Sequence, residues 1–311
     1  MARKIIIDTD PGQDDAVAIL LAIASPEVEL LGITTVAGNV PLALTTRNAR
    51  QIVELSGQDV PIHAGADRPL QRELVTAEYV HGKTGLDGIE LPEPRQPLAG
   101  EDGVGFIIET LRSQPEGSVT LVPIGPLTNI AMAFARAPDI VKRVQQIVLM
   151  GGAYFEVGNV TPAAEFNIYV DPEAAAQVFA SGVDIVVMPL DVTHRALTSA
   201  DWIAGLRDLG NRAGEAVASW TDFFERFDRE KYGSAGAPLH DPCAVAWLIR
   251  PELFKGRHIN VEIETVGEFT RGMTVADWWG VAGRRPNAMF IRDVDRDAFF
   301  ALLTERIATL P

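Results

Sequence analysis

The chain is poor in the residues that would tie it to several large classes of protein. Its 311 residues include a single cysteine, Cys243. No internal disulfide can form, and a secreted, disulfide-stapled scaffold is excluded. Histidine numbers five and no two are paired as metal ligands, so zinc sites built on thiolates or clustered imidazoles are excluded too. No apolar run approaches the ~20 residues that a membrane helix requires. The start MARKIII lacks the hydrophobic stretch and small-residue cleavage site of a secretory signal, and a soluble, cytoplasmic protein is expected. Cationic residues are the minority, 27 Lys and Arg against 42 Asp and Glu, for a formal net charge of −15. Such a charge repels phosphate backbones and anionic lipid, so neither nucleic acid nor membrane is expected as a partner. A metal ion, or a neutral or cationic ligand, is easier to accommodate.

What is present is an ordinary globular composition, 47% hydrophobic and 22% charged, sufficient for a large core. Short β-rich runs alternate with helical stretches: KIIIDTD, DDAVAILLAIAS, VELLGITTV, a helix through 47–55, VTLVPIG, LTNIAMAFAR, QIVLMGG, DPEAAAQVFAS and DIVVMPL. The strand runs are almost wholly apolar, as strands covered by helices on both faces must be. The expected fold is therefore α/β, with an open, mostly parallel, Rossmann-like sheet flanked by helices. A polar helix over 213–230 and the runs RHINVEIET, MTVADWW and NAMFIRDV predict a small additional carboxyl-terminal part, appended or antiparallel. No repeat or linker divides the chain, so 1–311 is read as one domain. Asp171-Pro172 and Asp241-Pro242 each set an acid at a helix cap before a proline at the first helical position. Cys243, beside Pro242, reads as a core residue. Two loops rich in glycine and proline, 64–103 and 231–238, are candidate walls of a site.

The segment DTDPGQDD concentrates the chemistry. An apolar strand runs into Asp8 and Asp10, a Pro-Gly turn follows, and Asp14 and Asp15 fall in the first turn of a helix. In open α/β sheets this carboxyl edge is where ligands bind. A helix amino terminus offsets about 0.3–1 kcal/mol of repulsion per acid, too little for so dense a cluster, and a hard cation is the economical remedy. Oxygen donors alone point to calcium or magnesium. Two other readings of the segment compete. Asp8 or Asp10 can cap the turn, leaving Asp14 and Asp15 as exposed first-turn acids. Alternatively, a strand followed by Asp-x-Asp opens the haloacid-dehalogenase-like phosphatases, with Asp8 as nucleophile and Asp10 as the nearby acid. Pro11 and Gly12 stand where those enzymes carry a threonine or valine and an apolar residue, and the pair Asp14-Asp15 has no role there.

Other residues are ambiguous taken singly. Asn39 follows Gly38 as turn residues do. Glu165, Phe166 and Asn167 lie between elements, and Asp171 reads as a helix cap. His240, directly before Asp241, has the side chain best suited to give a proton near neutrality. His81 lies in a glycine-rich loop, and Tyr232 in the second loop can close over a ligand. Trp278 and Trp279 are read as strand-core packing before a stacking face for a base.

DTDPGQDDAVAILLA resembles the amino-terminal signature of the inosine-uridine preferring nucleoside hydrolases. TTVAGN (34–39), HGKTGLDG (81–88), VPIGPLTNIA (122–131), MGGA (150–153), GNVTPAAEFNIYVDPEAA (158–175) and PLHDPCAVA (238–246) resemble further segments of that family in its order. The resemblance implies a nucleoside substrate and a bound calcium ion held by Asp10, Asp15, Asp241 and the main-chain carbonyl of Ile124. It implies ribose hydroxyls against Asp14, Asn167, Asp241 and the metal, with Asn39, Met150, Asn159, Glu165 and Phe166 lining the sugar pocket. It also implies a homodimer or homotetramer. Base contacts are expected from the loops around His81 and Tyr232. Cleaving a C1′–N bond then needs Asp10 to accept a proton from water and His240 to protonate or hydrogen-bond the leaving base. A non-catalytic, metal-dependent ribose- or nucleoside-binding protein is the remaining alternative.

Overall fold

The structure is a computed structural model that describes every residue except Met1 and Ser234, and every described side chain except those of Asp228 and Tyr232. The chain runs β1 (Arg3–Thr9), α1 (Gln13–Ile23), β2 (Val28–Thr35), α2 (Leu42–Ser56), β3 (Ile62–Ala64), α3 (Glu78–His81), α4 (Gly103–Ser113), β4 (Val119–Pro123), α5 (Thr128–Arg136) and β5 (Val144–Met150). It continues through α6 (Phe166–Val170), α7 (Pro172–Phe179), β6 (Ile185–Met188), α8 (Leu190–Thr193), α9 (Ala200–Asp208), α10 (Arg212–Tyr232) and α11 (Pro242–Ile249). Strands β7 (Phe254–Ile263), β8 (Thr274–Asp277) and β9 (Ala288–Val294) and helix α12 (Arg296–Ile307) complete it.

The strands form one nine-stranded sheet in the order β3-β2-β1-β4-β5-β6-β9-β7-β8. Every neighbouring pair from β3 through β9 is parallel, and β7 and β8 close the far edge antiparallel. The carboxyl-terminal strands are thus the antiparallel edge, with β9 joining them to β6. Alternation along β1 divides the core. Ile5 and Ile7 pack on one face with α1, α2, α10, α11 and α12, whereas Ile6 packs on the other with Ile107, Ile130 and Val178. Helix α1 is apolar on all sides (AVAILLAI) because α2, α10, α11 and α12 enclose it, and its residues 13–22 are all buried. Three elements were not legible as expected. Helix α2 begins earlier than residue 47, β3 is only three residues long, and the first long loop contains the single turn α3.

The order of the strands reverses between β1 and β4. This is the topological switch point, where a crevice opens beyond the strands' carboxyl ends and ligands settle in open α/β sheets.

Candidate active site

Beyond β1 the chain delivers Asp10, then turns through Pro11-Gly12 into α1, whose first turn carries Asp14 and Asp15. Asp15 is fixed from both sides. One oxygen accepts from the Thr9 hydroxyl and the other from the Gly12 amide at 2.9 Å, so that a first-turn acid reaches back to satisfy the N-cap amide of α1. Asn39, beyond β2, brackets two acids. Its amide donates to Asp10 Oδ2 at 2.7 Å, and its Nδ2 reaches Asp10 O at 3.1 Å and Asp15 Oδ2 at 3.4 Å. Asp10 Oδ1 is buried with no hydrogen-bond partner. Gly38 and Gly125 sit against this carboxylate so closely that a Cβ on either would strike it. Asp8 lies deeper, accepting from Thr34 and from Asn129 Nδ2 at 2.7 Å, and it supports the cluster from behind.

Asp241 completes the group from the far end of the chain. The pairing with Pro242 predicts a capping acid, and at Asp171 the prediction holds: that carboxylate accepts from the Ala174 and Leu70 amides and the Thr128 hydroxyl. Asp241 occupies the cap position of α11 in helical conformation and makes no side-chain cap bond. Its carboxylate turns to the acids instead, so that oxygens of Asp14, Asp15 and Asp241 lie within 4.8 Å of one another. The resemblance implies Asp10 with Asp15 and Asp241; the tightest trio contains Asp14, with Asp10 oriented beside it by Asn39.

No lysine or arginine among the described residues pairs with any of these acids. Burial therefore lifts every one of their carboxyls. Asp8 and Asp14 are pushed up to about 7, Asp14 also by the charge of Asp15. Asp10 and Asp241 are raised well above the carboxylate range by burial and then by neighbouring acids, and Asp15 is raised by burial. Buried like charges of this density call for a counter-charge. The all-oxygen donor set and the unpartnered Asp10 Oδ1 fit a hard divalent cation.

The carbonyl of Ile124, beyond β4, accepts from Asn167 Nδ2 at 2.8 Å, and the carbonyl of Met150, beyond β5, is 3.3 Å from the same nitrogen. Glu165 caps α6: Oε1 accepts from the Asn167 amide at 2.9 Å, Oε2 from Gly152 at 2.9 Å and Ile168 at 3.2 Å. Asn159 accepts from the Phe166 amide at 2.9 Å, and the Phe166 ring packs with Ala77 and Val170. Ile124, Met150, Asn159, Glu165, Phe166 and Asn167 line one pocket together with Asp14, Asp15, Asn39, His81, His240 and Asp241. Asp10 is not among the lining residues; fully buried, it lies behind Asn39, to which it is bonded. Tyr232's side chain lies outside the described residues.

Sequence reasoning missed several pocket residues: Tyr79 and Val80 of α3, Phe224 and Phe227 of α10, and His194 after α8. The spacing of Trp220, Phe224 and Phe227 marks one face of α10, and only its packing against α3 turns that face to the pocket. His81 Nδ1 meets Gln13 Oε1 at 2.7 Å, the ring stacks on Phe224, and burial pushes the imidazole down to about 4. His240 Nδ1 meets Thr193 Oγ1 at 2.7 Å; burial, then His194 and His81, hold its basicity well below the usual range. Trp278 packs against Phe155 and Arg292, but Trp279 is 78% exposed, so core packing holds for the first only. Neither reaches the pocket. Cys243 is buried in the core as expected.

Fold and site together define an α/β protein with a carboxylate cluster suited to a metal ion at the switch point of its sheet. The pocket is lined by aromatic rings, imidazoles, carboxamides and acids without lysine or arginine, which suits an uncharged polar ligand and offers a phosphomonoester no cationic side chain. Comparison with known proteins agrees. The family model of the inosine-uridine preferring nucleoside hydrolases matches residues 5–301. A pyrimidine-specific ribonucleoside hydrolase, RihA, of Salmonella paratyphi B is 48% identical over 309 residues, 99% of each chain. An uncharacterized protein of Schizosaccharomyces pombe is 54% identical over 309 residues, 99% of this chain and 100% of the relative. Among solved structures, a purine-preferring ribonucleoside hydrolase from Gardnerella vaginalis superposes with a TM-score of 0.92 at 34% identity, covering 99% of this chain and 98% of its own. The chain belongs to the inosine-uridine preferring nucleoside hydrolase family and is a nucleoside hydrolase, an enzyme that hydrolyses N-glycosidic bonds. The phosphatase and the non-catalytic binding protein are set aside by that finding.

Proposed function

We propose that the protein cleaves ribonucleosides, pyrimidine ribonucleosides foremost, to free base and ribose, with Asp10 as the base and calcium as the ion. The observation that carries this reading is the convergence of buried carboxylates, unmatched by any cationic side chain, at the floor of a neutral pocket. Asp10, Asp15, Asp241 and the Ile124 carbonyl would hold the ion, a donor set of carboxylates and a carbonyl that suits calcium. When bound, the cation neutralises the acids and lowers the pKa of an adjacent water.

The protein's own groups supply the rest. Asn39 holds Asp10 Oδ2, which leaves Oδ1 to accept the proton of the attacking water. Asp14, Asn167 and Asp241 orient the ribose hydroxyls. Asn39, Met150, Asn159, Glu165 and Phe166 shape the sugar's surroundings, while the carboxylates of Asp14 and Asp241 offer negative charge to a ring that turns positive as the bond breaks. Glu165 acts there through its caps on the α6 amides, which set Asn167. His81 and Tyr232 belong to the base end, and His240, fixed by Thr193 and held neutral by burial, hydrogen-bonds the departing base. The greater similarity to a pyrimidine-specific relative supports the substrate preference.

A reducing-sugar assay on uridine, cytidine, inosine, adenosine and guanosine tests the reading. Uridine or cytidine should give the highest kcat/KM; ribose release from none of the five would refute the assignment. His240→Ala should lower kcat on the natural nucleosides by about 10²-fold while costing far less with p-nitrophenyl riboside, whose leaving group departs unprotonated. Equal losses on both would remove His240 from leaving-group assistance.

A further inference from the structure

Three imidazoles reach the pocket, and their ring partners differ in kind. His81 meets a carboxamide and His240 a hydroxyl, whereas His194 Nδ1 faces Glu156 Oε2 at 3.5 Å. This is the one histidine–carboxylate pair among the described residues. We propose that Glu156 and His194 form a dyad that delivers a proton to the departing base, an inference that rests on nucleoside hydrolysis as the reaction of this pocket.

The pair is held by its surroundings. Asp191, on the same turn as His194 and buried, accepts the amides of Tyr154 at 3.0 Å, Phe155 at 2.7 Å and Glu156 at 3.3 Å. Exposed ion pairs lose most of their attraction to chain and side-chain freedom. Here the backbone that carries Glu156 is pinned to the turn that carries His194. An ionised carboxylate can only accept, so Nδ1 is the nitrogen that keeps its hydrogen, and a second proton falls on Nε2 at the opposite edge of the ring. The His194 ring lies 5.8 Å from that of His240, so the two imidazoles stand side by side on the pocket wall.

The step balances. The C1′–N bonding pair passes to the base nitrogen, the base takes the Nε2 proton, and water oxygen bonds C1′ while its proton goes to Asp10. Neutral His194 keeps Nδ1–H toward Glu156 and regains its proton from solvent, to which its side chain is 34% exposed. The charged groups around it are Glu156 from the loop after β5, Asp191 from its own turn and His240 from the segment before α11. Strand β9, packed against α8, adds Arg292, stacked on Phe155, and Asp293, paired with Arg195. Burial lowers the basicity of His194, and Glu156 is the chief opposing influence, followed by Asp191.

His194→Gln and Glu156→Gln, made in the full chain with calcium present, test the dyad on uridine and p-nitrophenyl riboside across pH 5–9. His194→Gln should lower kcat on uridine by about 10²-fold and on p-nitrophenyl riboside by no more than about threefold. Glu156→Gln should keep more activity and move the alkaline limb of kcat/KM to lower pH, by roughly half a unit or more, because the imidazolium loses its counter-charge. Equal losses on the two substrates, or an alkaline limb unmoved by Glu156→Gln, overturns the dyad while leaving nucleoside hydrolysis intact. Wild-type protein that releases no ribose from any nucleoside overturns both.

Discussion

Asp10→Ala is expected to lower kcat on uridine by at least about 10³-fold and to leave the cation-free protein no less stable than the wild type. The first half follows from position. Asp10 has one oxygen held by Asn39 and another buried without a partner. A lost general base costs about 10²–10⁴-fold, and loss of a cation ligand adds to that. The second half follows from charge. A core carboxylate usually stabilises through its partners; this one has the Asn39 amide alone and otherwise meets Asp15 and Asp14 and no cation. Its removal relieves repulsion, which offsets the small cavity left between Gly38 and Gly125. Turnover and a melting curve on one preparation settle both halves. Activity within tenfold of wild type would exclude Asp10 as the base.

The second large effect concerns the cation. Chelation should bring ribose release to background, and calcium should restore it. Stability supplies an independent readout with a definite sign. In cation-free protein the carboxyls of Asp8 and Asp14 are raised from 3.8 to about 7 by burial. Groups raised on folding stabilise the protein below their unfolded pKa, and that contribution is lost as pH rises through the folded value. Each such proton is worth about 1.4 kcal/mol per pH unit inside this window. Cation-free protein should therefore melt lower at pH 8 than at pH 5.5. The increment that calcium adds to the melting temperature should grow over the same range, because the ion replaces protons that the acids no longer hold. A calcium increment that is flat with pH would show that the acids are not its ligands.

Much of this was legible in the sequence, for physical reasons that can be assigned residue by residue. Apolar β runs such as KIII and QIVLM announce strands buried on both faces, and DTDPGQDD sets four acids across one strand–turn–helix junction, a density that local structure does not explain. Legibility failed where partners come from far away. Asp171 and Asp241 precede prolines identically, yet one caps its helix and the other turns to the acidic cluster, a distinction made by α11 packing on α1. Glu165 reads as a pocket acid, but its oxygens are taken by backbone amides. His194 carries no local mark at all. Its meaning comes from Glu156, which is brought to it across a loop by Asp191.

The strand order has a further consequence, in the timing of assembly. Asp10, Asp14 and Asp15 belong to the first strand–helix unit of the chain, whereas Asp241, far along the sequence, reaches them only through the packing of α11 on α1. In an unfolded or partly wound chain the early acids are solvated and repel little, so the electrostatic penalty is deferred to that docking. Contacts so distant in sequence form late. A cation proposed at these acids would therefore act on the contact between the two ends of the chain, and its removal would loosen the docking of α11 on α1 before it touched the strand–helix unit that carries Asp10, Asp14 and Asp15.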